Sequence, residues 1–235
     1  MSLRLPILCY HKVGPEAEEG RWLNIEPHRF ETHIRYFARR RAFIHAGDTW
    51  HPDSWSRASV CVTFDDAYAS TVLYAPMILY RYKAVATLFV VPGKVGKTSD
   101  WDGDLARPLA DWHALKEAVA LGMEIGNHTM SHRRLPWMDR REQQEEMEFA
   151  AAALEDKGHL AVSIAYPYGD ADDVTEQVAM ESGARVAFGL GKRQATPEDR
   201  PFCVPRIPIA FSDALPMLLY RVFVRGRRRD TRRVS

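Results

Sequence analysis

Long apolar runs are missing from this chain of 235 residues. Nothing approaches the ~20 consecutive apolar residues that cross a bilayer, so no transmembrane segment is expected. Charge of one sign is also lacking: 32 Lys and Arg stand against 31 Asp and Glu, a net charge of +1. Such a balance supplies no global field for nucleic acid, which is therefore not an expected partner. Cysteine is scarce. Cys9, Cys61 and Cys203 are too few and too far apart for a disulfide framework or a zinc cluster, and their odd number favours a reducing compartment. Residues 1–6 lack the apolar region and small-residue cleavage site of a secretory signal, so a cytoplasmic location is expected unless an upstream segment has been removed. There is no internal repeat and no interdomain linker, and the length suits a single core. Charge is uneven only in residues 221–235, where Arg227, Arg228, Arg229, Arg232 and Arg233 form a basic tail. That tail reads as a solvated extension or as a peripheral contact for anionic lipid.

What is present is an alternation of short apolar runs with longer amphipathic segments, the pattern of parallel strands joined by helices. Expected strands cover 6–10, 59–64, 84–91, 123–126, 163–166, 186–189 and 204–209; expected helices cover 27–41, 139–157 and 171–182. Trp112 begins a further amphipathic helix and reads as core packing. Seven strands in a chain of this size predict a single-domain α/β fold, a distorted or incomplete (β/α) barrel. In such barrels chemistry gathers at the carboxyl ends of the strands. Asp65 and Asp66 end the run 60–64, His128 follows 123–126, and His11 follows 7–9, so all are expected on one rim.

Adjacent carboxylates and a histidine pair, His128 and His132, are the donors of a one-cation hydrolytic site. Three N/O ligands hold the ion and leave a position open, and a second carboxylate remains free to act as base. The histidines reach one ion if the segment turns helically after His128, because residues four apart share a helix face. Either motif alone also reads as a cap or a turn. Their conjunction at strand ends is what points to a metal site.

The segments Thr63-Phe64-Asp65-Asp66, Glu124-Ile125-Gly126-Asn127-His128-Thr129-Met130-Ser131-His132 and Tyr166-Pro167-Tyr168-Gly169-Asp170 occur in that order. Together they resemble the polysaccharide deacetylases of the NodB-homology type, carbohydrate esterase family 4, across about residues 8–209. The resemblance implies a deacetylase domain over residues 4–220, followed by the basic tail 221–235. It further implies Asp65 as general base, Asp66, His128 and His132 as ligands of one divalent metal ion, and the Tyr168 backbone N–H as an oxyanion donor. Zinc leads, and cobalt, nickel or manganese also suit such a donor set. The reaction implied is hydrolysis of the N-acetyl group of an amino sugar, releasing acetate.

Two departures from the family pattern shape the remaining expectations. Where many members carry an arginine before the Tyr-Pro-Tyr-Gly segment, this chain has Ile164-Ala165, and Arg206 is the substitute, with a surface ion pair as its ordinary role. No histidine follows residue 159, so the C-terminal acid of many members is absent. The Tyr10-His11 segment resembles instead the permuted branch that includes the poly-N-acetylglucosamine deacetylases. His11 is accordingly the expected general acid, a buried structural histidine being the other reading. Trp101, Trp22 and Trp137 are expected sugar contacts or packing residues, and Tyr166, Pro167 and Ile207 are further candidates on the substrate side. The expected substrate is an N-acetylated carbohydrate, a lipid-linked or nucleotide-linked precursor of exopolysaccharide or O-antigen if the location is cytoplasmic. A hydrolase of a small non-sugar amide and a degenerate carbohydrate-binding protein are the alternatives.

Overall fold

The apolar runs become the wall of a barrel. The computed structural model describes residues 3–227. Its strands are β1 (Ile7–Tyr10), β2 (Lys12–Val13), β3 (Asn24–Ile25), β4 (Ala42–Ile44), β5 (Ser59–Phe64), β6 (Ala86–Val90), β7 (Met123–Asn127), β8 (Ser163–Ala165), β9 (Val186–Leu190) and β10 (Val204–Pro208). The seven expected strands are β1 and β5 to β10, and they form a closed, all-parallel ring in chain order. β1 completes it by pairing with β10 on one side and β5 on the other. The fold is a single (β/α) barrel of seven strands, as the alternation predicts.

β4 is an addition that the sequence reading did not include. It pairs with the first half of β5, from Ala42↔Ser59 to Ile44↔Cys61, while β6 takes the second half at Thr63↔Thr87 and Phe64↔Leu88. β2 and β3 form a separate two-stranded pair beyond the end of β1.

Side chains alternate between the two faces of each strand. Leu8, Tyr10, Val60, Val62, Phe64, Leu88 and Val90 share a cluster with Phe30, Ile34 and Phe37, so they face the surrounding helices. Ile7, Cys61, Phe89, Ala165, Phe188 and Val204 form the second cluster, inside the ring. Both faces being covered is why these strands read as continuous apolar runs.

The helices are α1 (Glu16–Glu19), α2 (Pro27–Ala38), α3 (Ala69–Arg81), α4 (Trp112–Ala120), α5 (Arg140–Asp156), α6 (Asp173–Glu181) and α7 (Leu215–Leu219). α5 starts on a capping box in which Asp139 accepts from the Glu142 N–H and Glu142 accepts from the Asp139 N–H. The Asp172 side chain caps α6 by accepting from the Thr175 N–H.

The boundary expected at 220/221 falls inside a packed segment. The helical turn continues through Tyr220–Val224 and Arg225–Arg227, with Val222 and Gly226 buried. Gln194 ties it down, donating its Nε2 to Val222 O at 2.7 Å and its N–H to Gly226 O at 2.9 Å. Arg228, Arg229, Arg232 and Arg233 of the expected tail lie outside the described residues.

Candidate active site

β5 delivers two carboxylates to the rim with separate surroundings. Asp65 continues the inward face of Cys61 and Thr63, and Arg206 on β10 shares the inward face with Val204. Across the ring the two meet: Arg206 Nη1 donates to Asp65 Oδ1 at 2.6 Å and Nη2 to Oδ2 at 2.8 Å. The guanidinium is fully buried, 5.4 and 5.9 Å from the Phe89 and Phe188 ring centroids. It also donates to Thr63 Oγ1 at 3.2 Å and Gly189 O at 3.3 Å. The Cys9 thiol donates to Asp65 Oδ2 at 3.4 Å, and the Asp65 N–H donates to Tyr10 O at 3.0 Å. Burial alone would push the Asp65 carboxyl up; the facing Arg206 reverses this and holds it below the usual carboxylate range. Asp65 is thus oriented and ionised, with its charge already matched by protein.

Asp66 turns the other way because its backbone is left-handed, with φ 72°. Its Oδ1 lies 3.3 Å from His128 Nε2 and 3.1 Å from His132 Nε2. The three side chains are all buried. Burial raises the Asp66 carboxyl, but the two imidazoles outweigh it and hold the group well below its usual range. Burial likewise lowers His128, and Asp66 together with Asp65 outweighs it, so the net direction is upward. Both shifts express one demand, positive charge between a buried carboxylate and two buried imidazoles.

That demand is the test of fit for the cation the fold family implies. Asp66 Oδ1 is buried yet makes no hydrogen bond of acceptable geometry with either imidazole. His128 Nδ1 lies 2.7 Å from Ala165 O, an acceptor only, so Nδ1 carries a proton and Nε2, which faces Asp66, is the nitrogen left to serve as a ligand. Two ring nitrogens and a carboxylate oxygen turned toward one another, all within 4.8 Å, match a divalent cation that prefers N/O donors. The residues fit the group.

The histidines do not converge as helix neighbours, which corrects the sequence expectation. Residues 128–132 are a loop in which Thr129 and His132 have φ 64° and 63°. Several contacts clamp this loop. The Asn127 side chain accepts from the Thr129 N–H at 2.8 Å and donates to Met147 O at 3.0 Å, and Glu146 Oε2 accepts from the Ser131 N–H at 2.8 Å. The Gly93 N–H donates to Met130 O at 3.1 Å, and a Cβ at Gly93 would sit 2.4 Å from that oxygen, so only glycine admits the approach. Of the eight non-glycine residues with positive φ among the described residues, Asp66, Ala67, Thr129, His132 and Tyr168 belong to this rim. Strained backbone concentrates where side chains must be aimed.

The remaining expected residues divide. His11 is at the site: a ring nitrogen lies within 4.8 Å of both the Asp65 carboxylate and Cys9 Sγ. Its Nδ1 is buried without a hydrogen-bond partner among the described residues. Tyr168, at φ 61°, sets its ring edge-on to His132 with centroids 4.9 Å apart. Trp101 stacks its indole on the other ligand candidate's ring surface, 4.0 Å from the His132 centroid and 24° from parallel, so it braces the imidazole. Trp22 is exposed and takes no part in the contacts described around the site. Tyr166 and Ile207 are corrections, as their side chains are buried in the core and the Tyr166 hydroxyl donates to Phe202 O at 2.8 Å. Pro167 is buried too, at the start of the turn that carries Tyr168. Cys9, Asn127 and Glu146 were missed, since none stands in a pattern that marks it.

A closed parallel barrel with carboxylates and imidazoles gathered at its carboxyl rim defines a (β/α)-barrel hydrolase. The chain belongs to the polysaccharide deacetylase family, whose sequence profile matches residues 54–187, and it is a carbohydrate deacetylase on that ground. The poly-beta-1,6-N-acetyl-D-glucosamine N-deacetylase of Staphylococcus aureus (strain MRSA252) is 27% identical over 175 residues. That match covers 70% of this chain and 59% of that one, less than two thirds of the relative's length. Among solved structures, the Streptococcus pyogenes deacetylase PplD, in complex with acetate, superposes with a TM-score of 0.80 at 23% identity, covering 94% of this chain and 99% of that one. IcaB from Ammonifex degensii superposes with a TM-score of 0.76 at 25% identity, covering 93% and 96%. No helix of the described residues is long and apolar enough to cross a membrane.

Proposed function

We propose that the protein hydrolyses the N-acetyl amide of amino-sugar residues in a polysaccharide, releasing acetate and leaving a free amine on the sugar. The observation that carries this reading is the separate engagement of two neighbouring carboxylates, Asp65 by Arg206 and Asp66 by two imidazoles. Asp66, His128 and His132 are the residues that would hold a divalent cation, zinc first among those such donors accept. Bound there, it would supply Lewis acidity toward the amide carbonyl and toward water.

The other roles follow from what each group is bonded to. Asp65 needs no ion to balance its charge, because Arg206 already does so; it remains ionised, aimed at the rim, and accepts a proton from the attacking water. Arg206 and the Cys9 thiol restrain that carboxylate and thereby position it. His11 lies on the far side of Asp65 from the imidazole pair's loop in chain order, one barrel strand away, and donates a proton to the leaving amine as the C–N bond breaks. The left-handed Tyr168 peptide presents its N–H to the oxyanion.

The similarity to the staphylococcal enzyme supports an N-acetylglucosamine polymer as the substrate, in place of the nucleotide-linked or lipid-linked precursor expected from the sequence. Acetate release across N-acetylglucosamine oligomers, N-acetylated monosaccharides and simple amides tests the reading. Release from the oligomers, abolished by chelation and restored by zinc, is expected. Release from simple amides alone would overturn it.

A further inference from the structure

A row of stacked groups leads from the site to the surface. The His132 ring meets Tyr168, and the Arg134 guanidinium carbon lies 3.9 Å from the Tyr168 ring centroid and 5.2 Å from that of Trp137. Arg134 is also ion-paired with Asp170, so the arginine that follows the histidine loop is fastened to the turn carrying Tyr168. Exposure rises along the row, from buried His132 through Tyr168 at 41% to Trp137 at 82%. The mount beneath Trp137 is firm, because Leu135 of the same single turn is fully buried.

An indole this exposed contributes little to the core. A ring held rigidly at the rim of a sugar-processing site is instead suited to the apolar C–H face of a pyranose. The guanidinium has five N–H donors, and the described bond to Asp170 uses one of them, leaving donors for ring hydroxyls. We propose that Trp137, Arg134 and the Tyr168 ring form a subsite for the sugar residue adjacent to the one that loses its acetyl group. Occupancy of this subsite makes a chain, and not a single sugar, the preferred ligand. The proposal rests on the deacetylase reading, which names the sugar at the centre.

Binding can be measured apart from turnover, on protein treated with a chelator. Calorimetry with a β-1,6-linked N-acetylglucosamine tetrasaccharide and with N-acetylglucosamine itself gives the test. The tetrasaccharide is expected to bind the unaltered protein more tightly than the monosaccharide. Trp137→Ala is expected to weaken tetrasaccharide binding about ten-fold, with Trp137→Phe retaining most of it. Trp137→Ala binding the tetrasaccharide within two-fold of the unaltered protein would overturn the subsite, as would equal affinity for the two sugars or no binding of either. Chain binding that depends on Trp137, in a zinc-loaded protein that releases no acetate, would leave the subsite standing and remove the deacetylase reading.

Discussion

Arg206→Met removes the positive half of a fully buried ion pair and leaves Asp65 facing an apolar side chain. Lost with it are the two short bonds to the carboxylate, at 2.6 and 2.8 Å, and the donors to Thr63 and Gly189. Breaking a buried pair from one side costs about 3–5 kcal/mol, because the remaining buried charge loses its counter-ion and keeps only weak partners such as the Cys9 thiol at 3.4 Å. At about 2–4 °C per kcal/mol for a domain of this size, the melting temperature should fall by about 6–20 °C. Removing both charges is different. The double variant Asp65→Asn with Arg206→Met should recover at least half of that loss, since a neutral buried pair avoids the desolvated charge. The pH dependence carries the same signature. With Arg206 gone, burial is expected to push the Asp65 carboxyl up, so the deficit should be full at high pH and shrink as acid protonates it. Thermal and urea unfolding of the two single variants and the double, at pH 8 and pH 5, check all three statements. A double variant that loses as much as the two singles added together, or an Arg206→Met protein as stable as the unaltered chain, would refute the reasoning.

Two further outcomes follow from the rim and one from the core. Asp65→Asn should retain a bound divalent ion at one per chain while turnover falls by about two to four orders of magnitude; Asp66→Asn should lose the ion, and equal ion content in the two would show the roles misassigned. Burial lowers the His11 pKa from 6.5 although Asp65 and Asp66 pull it up, so the basic limb of the activity profile is expected to begin below pH 6.5. His11→Ala should flatten that limb without changing metal content, as read by pH-rate profiles and metal analysis. Away from the rim, burial lowers His33 from 6.5 to about 4. The unfolded chain therefore takes up this proton first, and stability present above pH 6.5 should decline by about 3 kcal/mol as pH falls toward 4. His33→Asn should flatten that decline in unfolding experiments, and an unchanged slope would dismiss the assignment.

The barrel was legible because each of its strands is buried on both faces, which writes a continuous apolar run into the sequence. β4 was not. Its residues, Ala42–Ile44, are exposed or half-buried and carry no such run. Asp65, Asp66, His128 and His132 could be named from strand ends and spacing, yet the way they converge could not. Left-handed backbone at Asp66, Thr129 and His132 leaves no mark in residue type when the residue is not glycine. The partnership of Arg206 with Asp65 required knowing that the ring closes and which face of β10 turns inward. Tyr166 and Ile207 show the opposite error. Standing in a motif segment made them candidates, but strand alternation sends their side chains into the packing.

Closure of the ring by its first strand has a consequence for synthesis on the ribosome. Asp65 and Arg206 are 141 residues apart, and β1 and its neighbour β5 are both synthesised long before β10 exists. At about 5–20 residues per second, roughly 7–28 s separate the emergence of the aspartate from that of its arginine. Throughout that interval the nascent barrel has a seam between β1 and β9 and an unmatched carboxylate beside it. The last strand both seals the wall and neutralises the charge. A truncated or stalled chain therefore keeps an open sheet edge, where chaperones or aggregation partners bind, and lacks the ion pair that restrains its base.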